Sequence, residues 1–254
     1  MTTASPDPEK WAQGSVVKLN RWTEKLYSIH VRADNHPFKA GQFTKLGLML
    51  DDQFISRPYS FVNEPDDSTL EFYFVTVPDG PLTSEMIRLA PGDELMVMKR
   101  ASGFLVLDEV PAAKQLWMLS TGTAIGPFLS ILKQKSVWEK FKKVVLVHAV
   151  RQQKELSFQE DIDFISKEHK NDFDYIPFVS REQISHCFSG RIPASIKSGA
   201  LEKRTGLTIT TDNSQIMICG NPAMVKETTQ VLLDRGLTRN RRKTPGQITV
   251  ENYW

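Results

Sequence analysis

Residues 116–134 read LWMLSTGTAIGPFLSILKQ, an apolar run, a glycine-bearing turn and a helical stretch in succession. LWMLS (116–120) reads as a buried strand and GPFLSILKQ (126–134) as a helix, which makes STGTAIGP (120–127) a strand-to-helix junction. Gly122 and Gly126 permit close backbone approach there, and Pro127 suits the first helical turn. In form this is a phosphate site. It is not a strict G-x-G-x-x-G, so an ordinary tight turn competes with dinucleotide binding on these residues alone.

Toward the C-terminus the same rhythm continues. VVLVHAV (144–150) reads as a second buried strand and FQEDIDFISKEH (158–169) as a helix. YIPFV (175–179), a helix over PASIKSGALEK (193–203), the strand IMIC (216–219) and a helix over MVKETTQVLLDRG (224–236) follow. Strand alternating with helix predicts a parallel, Rossmann-like α/β sheet. CGNPAMV (219–225) is a second junction of the first kind, with Gly220, then Asn221 as N-cap and Pro222 at the first helical position. Two such loops at one carboxyl edge define a ligand crevice. Arg151, Arg181 and Arg191 follow strands at that edge, while an acid suited to a ribose 2′-hydroxyl is missing until Glu155. The arginines suit a 2′-phosphate, or they are solvated loop residues.

Toward the N-terminus the period changes. Residues 14–107 are short runs rich in Val, Leu, Phe, Tyr and Thr, broken by turn signals such as EPDD (64–67) and APGD (90–93). This pattern predicts an antiparallel barrel or sandwich. The boundary falls near Pro111, giving domains 1–110 and 111–254. RPYSF (57–61) sets Arg57, Tyr59 and Ser60 along one strand, either as ligand groups or as cover for a barrel rim. FYFVTVPDGPLTSEM (72–86) runs from a strand through PDG into a helix starting near Leu82, Thr83 and Ser84, whose N-terminus would attract an anion.

Composition narrows the classes. With 254 residues and 40% hydrophobic content the chain suits two ordinary domains. Only Cys187 and Cys219 are present, without a C-x-x-C pair, which argues against a disulfide framework, a zinc site or a cysteine-ligated cluster. A net charge of +2 does not imply nucleic acid. The opening MTTASPDPEKW shows no secretory pattern and no apolar stretch is long enough to span a membrane, so a cytoplasmic protein is expected.

Taken together, RPYS, VTVPDGPLT, GFLVL, TGTAIGP, VSRE, GRIP, CGNPAMV and the terminal VENYW resemble the bacterial flavodoxin/ferredoxin–NADP⁺ reductases, which are FAD-containing flavoproteins. The likeness is colinear from about residue 14 to 254. It implies an FAD-binding antiparallel β-barrel followed by an NADP-binding α/β domain. It further implies that Arg57, Pro58, Tyr59, Ser60, Phe74, Val75, Thr76, Pro81, Leu82, Thr83 and Thr123 hold FAD. By the same likeness Tyr253 covers the flavin ring and Trp254 stacks on its adenine. Val150, Arg151, Ser180, Arg181, Arg191, Gly220 and Asn221 would hold NADP. Ser60, Cys219, Glu251 and Tyr253 would stand at the reacting rings, Glu251 either in a proton-relay or tuning role or as a solvated terminal carboxylate. The partners implied are ferredoxin or flavodoxin, docking through the basic cluster Arg239, Arg241, Arg242 and Lys243, unless that cluster is only a solvated face. A monomer without metal is expected. Reductase components of oxygenase systems and a non-catalytic nucleotide-sensing flavoprotein are the competing readings.

Overall fold

Short alternating runs before residue 100 and strand–helix alternation after residue 115 give two different sheets. The computed structural model describes residues 6–34 and 37–252. In chain order the first sheet's elements are β1 (Trp11–Arg21), β2 (Leu26–Arg32), β3 (Phe43–Leu50), β4 (Gln53–Ser60), β5 (Leu70–Val75), helix α1 (Pro81–Met86) and β6 (Glu94–Met98). Every pairing in the order β4-β3-β6-β1-β2-β5 is antiparallel. A bridge between Phe61 and Phe72 brings the end of β4 against β5 and curls the sheet into a barrel. Its interior is aromatic and aliphatic, with Phe61, Phe72, Ile29, Leu46 and Val97 fully buried.

The second sheet is built from β7 (Gln115–Thr121), β8 (Lys143–Val150), β9 (Phe173–Val179), β10 (Phe188–Ser189), β11 (Ser214–Gly220) and β12 (Ile248–Asn252). Helices α2 (Gly126–Leu132), α3 (Lys135–Lys140) and α4 (Gln159–Glu168) lie between its earlier strands, and α5 (Ile192–Lys197), α6 (Ala200–Thr205) and α7 (Pro222–Leu233) follow. The order β10-β9-β8-β7-β11-β12 is parallel throughout. Strand order reverses between β7 and β11, which is the topological switch point where open α/β sheets bind ligands.

Local chemistry refines two expectations. The single helix expected over 193–203 is two helices, because Gly199 adopts φ +74°, a left-handed value that ends α5 and that glycine takes without steric cost. Within the junction at 120–127, Gly122–Ile125 forms one 3₁₀ turn before α2 begins. Asn221 is the N-cap of α7 as expected, its side chain accepting from the amides of Ala223 (3.0 Å) and Met224 (3.4 Å).

One face of the parallel sheet packs under α5 and α7, with Ile192, Ile196, Val225 and Leu232 in its core. The other face shares its core with the barrel: Leu26, Val62 and Tyr73 join Phe128, Leu129, Phe158 and Ile162 in one continuous apolar cluster. A buried hydrogen bond of 2.6 Å, donated by the Ser130 hydroxyl to the Asn63 carbonyl, fastens α2 to the barrel inside that seam.

Candidate cofactor cleft

Barrel and parallel sheet face each other across a cleft of about 770 Å³, within the range typical of small-molecule and cofactor sites. From the barrel it is lined by Arg57–Ser60 at the end of β4, Phe74–Thr76 at the end of β5, and Pro81–Thr83 at the start of α1. Thr123, Arg151 and Glu251 close it from the other sheet. The fold thus gathers residues from six separated stretches that the sequence singles out. Lys25, Phe43, Tyr73 and Val77 join them without having been read from sequence, although Tyr73 directly precedes the expected Phe74. Tyr253 and Trp254 lie outside the described residues.

The cleft wall combines apolar surface with a few aimed polar groups. Ser60 is 2% exposed, and its hydroxyl has no hydrogen-bond partner among the described residues. A buried hydroxyl left unpaired is costly, so one lining a cleft marks a place where a ligand would complete it. Burial pushes the Tyr59 phenol up to about 12, which keeps it neutral. At α1, N-cap Gly80 has no side chain with which to cap the first amides. The preceding turn is tied to itself, the Thr83 hydroxyl accepting from the Val77 amide at 3.2 Å and donating to the Gly80 carbonyl at 3.4 Å. Arg57 is exposed, with one guanidinium nitrogen 2.7 Å from the Ser56 carbonyl.

Glu251 corrects the picture of a solvated terminal carboxylate. It sits half-buried in β12, and its Oε2 accepts from the Phe104 amide at 3.2 Å. Burial pushes its carboxyl up to about 7, despite opposing hydrogen bonds from the Phe104 and Leu105 backbone. Its register partner Cys219 is fully buried, and burial raises the thiol well above its ordinary range. Cys219 therefore stays a protonated thiol.

The switch point is closed by two loops that touch. Gly220 has φ +143°, and an added Cβ would lie 2.1 Å from the Thr121 hydroxyl oxygen, so no other residue fits. That same oxygen accepts from the Asn221 amide at 2.9 Å, joining the junction after β7 to the junction after β11. Beneath the first loop His148, fully buried in β8, has Nε2 3.1 Å from the Gly122 carbonyl. Burial depresses its imidazole to about 4. The neutral ring therefore supports the turn, a role that sequence reading did not find.

The three arginines gather at the carboxyl ends of adjacent strands. Val150 of β8 pairs with Val179 of β9, which pairs with Ser189 of β10; Arg151, Arg181 and Arg191 follow those residues by one, two and two positions. Ser180 donates its amide to the Val150 carbonyl at 3.0 Å, and Arg181 donates its amide to the Arg151 carbonyl at 2.9 Å. All three arginine side chains are exposed; Arg191 has one distant ion pair, 3.9 Å to Glu227. Glu155, the nearest acid in sequence, is turned inward, its Oε2 accepting from the amides of Arg151 (2.8 Å) and Gln152 (3.0 Å). It caps a short turn and leaves the edge cationic.

The basic cluster forms a hairpin through the Arg241–Thr244 bridge. Arg242 is engaged, with its guanidinium 3.2 Å from the Glu109 carboxylate and 5.6 Å from the Phe104 ring centre. Arg239, Arg241 and Lys243 are exposed.

Residues 118–230 match the family described as the oxidoreductase NAD-binding domain. The flavodoxin/ferredoxin–NADP reductase of Escherichia coli (strain K12) is 48% identical over 245 residues, covering 96% of this chain and 99% of its own length. The ferredoxin–NADP reductase of Pseudomonas aeruginosa is 37% identical over 246 residues, covering 93% and 95% respectively. A crystal structure of a ferredoxin NADP⁺ reductase from Neisseria gonorrhoeae, with bound FAD and NADP, superposes with a TM-score of 0.92 at 36% identity, covering 96% of this chain and 99% of that one. Two sheets meeting at a cleft, a switch point closed by Gly122 and Gly220, and this near-complete coverage together establish that the chain belongs to the flavodoxin/ferredoxin–NADP reductase family.

Proposed function

We propose that this chain is an FAD-dependent oxidoreductase that exchanges electrons between NADPH and ferredoxin or flavodoxin. The carrying observation is the cleft itself, which gathers Arg57–Ser60, Phe74–Thr76 and Pro81–Thr83 from the barrel with Thr123 and Glu251 from the second domain, and in whose lining the Ser60 hydroxyl has no partner among the described residues. Its donors fit FAD. Arg57 and the uncapped start of α1 at Pro81, Leu82 and Thr83 would hold the pyrophosphate. Pro58 and Tyr59 would flank the ring, Ser60 would hydrogen-bond it, and the backbone of Phe74, Val75 and Thr76 would support its edge. Thr123 would stand between the cofactors. Tyr253 and Trp254 would cover the ring and the adenine.

NADP(H) would bind at the switch point. Its 2′-phosphate would be held by Arg151, Arg181 and Arg191 with the Val150–Ser180 strand ends, and its nicotinamide would lie beside Cys219, Gly220 and Asn221. When bound, FAD accepts two electrons together as a hydride and releases them singly to a one-electron carrier. The chain's own residues would bind, orient and exclude water, and Glu251, its carboxyl raised to about 7 by burial, would exchange a proton near the reacting edge around neutral pH. Residues 1–110 would form the FAD domain and 111–254 the NADP domain of a cytoplasmic monomer. Among the described residues no helix is long and apolar enough to cross a membrane, and no group of three or more His, Cys, Asp or Glu could hold a metal.

Purified protein tests this directly. NADPH added without oxygen should bleach the flavin within seconds; a flavin that stays oxidised would refute the assignment. Carrier docking is assigned to Arg239, Arg241, Arg242 and Lys243. Arg241→Gln with Lys243→Gln should slow reduction of an acidic carrier and flatten its salt dependence while sparing a small neutral acceptor. Equal slowing of both acceptors would make the hairpin structural.

A further inference from the structure

Ser157 and Phe158 form a corner between β8 and α4, and neither lines the cleft. Phe158 breaks two local rules at once. Its φ of 61° and ψ of 30° put an aromatic residue in the left-handed region, which glycine, asparagine and aspartate occupy far more readily. It is also the N-cap of α4, where Ser, Thr, Asp or Asn would accept from the helix amides, and its side chain makes no capping bond. Nothing local selects phenylalanine here.

Tertiary contacts do. The Phe158 ring, 4% exposed, lies 4.6 Å from the Trp22 ring and stands edge-on to Tyr73 at 5.0 Å, so it is held between two barrel aromatics. The adjacent Ser157 hydroxyl shares a buried hydrogen bond of 2.8 Å with the Tyr73 hydroxyl. Trp22 is braced in turn, its indole N–H donating to the Ser28 hydroxyl at 3.2 Å. Tyr73 belongs to β5 and lines the cleft immediately before Phe74, Val75 and Thr76. One corner of the α/β sheet thus grips the strand that forms the cleft wall. Backbone strain maintained against local preference is sustained by surrounding structure and is found where geometry matters to function.

We propose that the Ser157–Phe158 corner is a positioning latch: by gripping Tyr73 it fixes the angle between the two sheets, and with it the separation of the Phe74–Thr76 wall from the Gly220 loop. The latch makes and breaks no covalent bond. It rests on the functional reading above, because it matters to catalysis only if two cofactors must meet across that separation.

Three full-length variants carrying FAD test it. Phe158→Leu keeps a buried apolar side chain but removes both ring contacts, Ser157→Ala removes the hydroxyl bridge, and Phe158→Tyr preserves the ring. With saturating NADPH in anaerobic stopped flow, Phe158→Leu should slow flavin bleaching about tenfold to a hundredfold, the scale of a misplacement of about 1 Å. The long-wavelength charge-transfer band formed on mixing with NADP(H) should weaken. Flavin content and half-saturating NADPH should stay within about twofold of wild type, the signature of lost positioning as opposed to lost binding. Ser157→Ala should show a smaller loss, and Phe158→Tyr should recover the wild-type rate. A rate and band equal to wild type in Phe158→Leu, or a loss that only tracks missing flavin, would overturn the latch. If Phe158→Leu does not fold, Ser157→Ala decides: it should accelerate amide hydrogen exchange at Phe74, Val75 and Thr76, and unchanged exchange would overturn the proposal. Wild-type protein that NADPH does not bleach would sink the functional reading instead, and the exchange measurement would still judge the latch.

Discussion

Ser60 is buried in the lining of a walled cleft, its hydroxyl without a partner among the described residues, whereas Arg181 and Arg191 stand exposed at the open edge of the parallel sheet. On the function proposed above both regions would receive phosphate-bearing ligands, yet their physics differs. The cleft offers preformed surface, uncapped amides and an unsatisfied hydroxyl, groups that gain most when a ligand stays. At the edge the groups on offer are long, exposed cationic side chains, which would suit a ligand that binds and leaves. Residence and exchange are thus separated in the architecture. On that reading a resident cofactor would be surrounded, and an exchanging one read from outside.

The arginine edge gives the largest expected effect. Arg181→Ala and Arg191→Ala should each lose about 1.5–3 kcal/mol of NADPH binding, the scale for hydrogen bonds to charged groups, while NADH binding should change little. The exposed Arg191–Glu227 pair contributes little that would confuse the result. Titration of both nucleotides against each variant is the check. Equal losses would show that the edge does not read the 2′-phosphate and would erase the contrast with the cleft.

Glu251 sharpens the contrast from the cleft side. Its carboxyl is raised from 4.5 to about 7 by burial. A raised folded value means that the stability linked to its protonated form is complete below about 4.5 and is lost as pH rises through about 7. Glu251→Gln, which mimics the protonated form, should therefore stabilise the apoprotein at pH 8 by about 1–2 kcal/mol after allowance for partial solvent screening, and the two proteins should converge near pH 5. Urea unfolding at both pH values measures this. An identical gap at the two would show that the carboxyl does not titrate in that window.

Much of this arrangement is legible in sequence, for identifiable reasons. Parallel strands buried on both faces read as unbroken apolar runs, so VVLVHAV and IMIC reveal themselves, and the Asn221–Pro222 cap is a local signal. Gathering residues 57–60, 74–76, 81–83, 123 and 251 into one cleft is not legible from spacing, because long-range pairing brings them together; family resemblance supplied that grouping. The left-handed Phe158 is invisible for a sharper reason, since every local preference argues against it. Glu251 reads as a terminal carboxylate until β12 is seen to pair with β11 beside Phe104, and Arg242 reads as free until its hairpin meets Glu109.

The smallest expected effect is the most diagnostic, because it has two signs. Among the described residues the buried Ser60 hydroxyl has no partner, and an unsatisfied buried group opposes folding. Ser60→Ala removes it at the cost of a few atoms of packing, so the apoprotein should hold its stability or gain up to about 1 kcal/mol. FAD binding should move the other way. With its partner gone, the ring should lose a neutral hydrogen bond worth about 0.5–1.5 kcal/mol, a weakening of roughly two- to tenfold. Thermal unfolding of the apoprotein and FAD retention on dialysis measure the two halves separately. Loss of stability together with loss of FAD would mean that Ser60 is ordinary packing. Gain or constancy in one and loss in the other would mean that the cleft carries an unmet hydrogen bond that only the resident cofactor satisfies, which the exposed arginine edge, solvated whenever it is empty, has no means of doing.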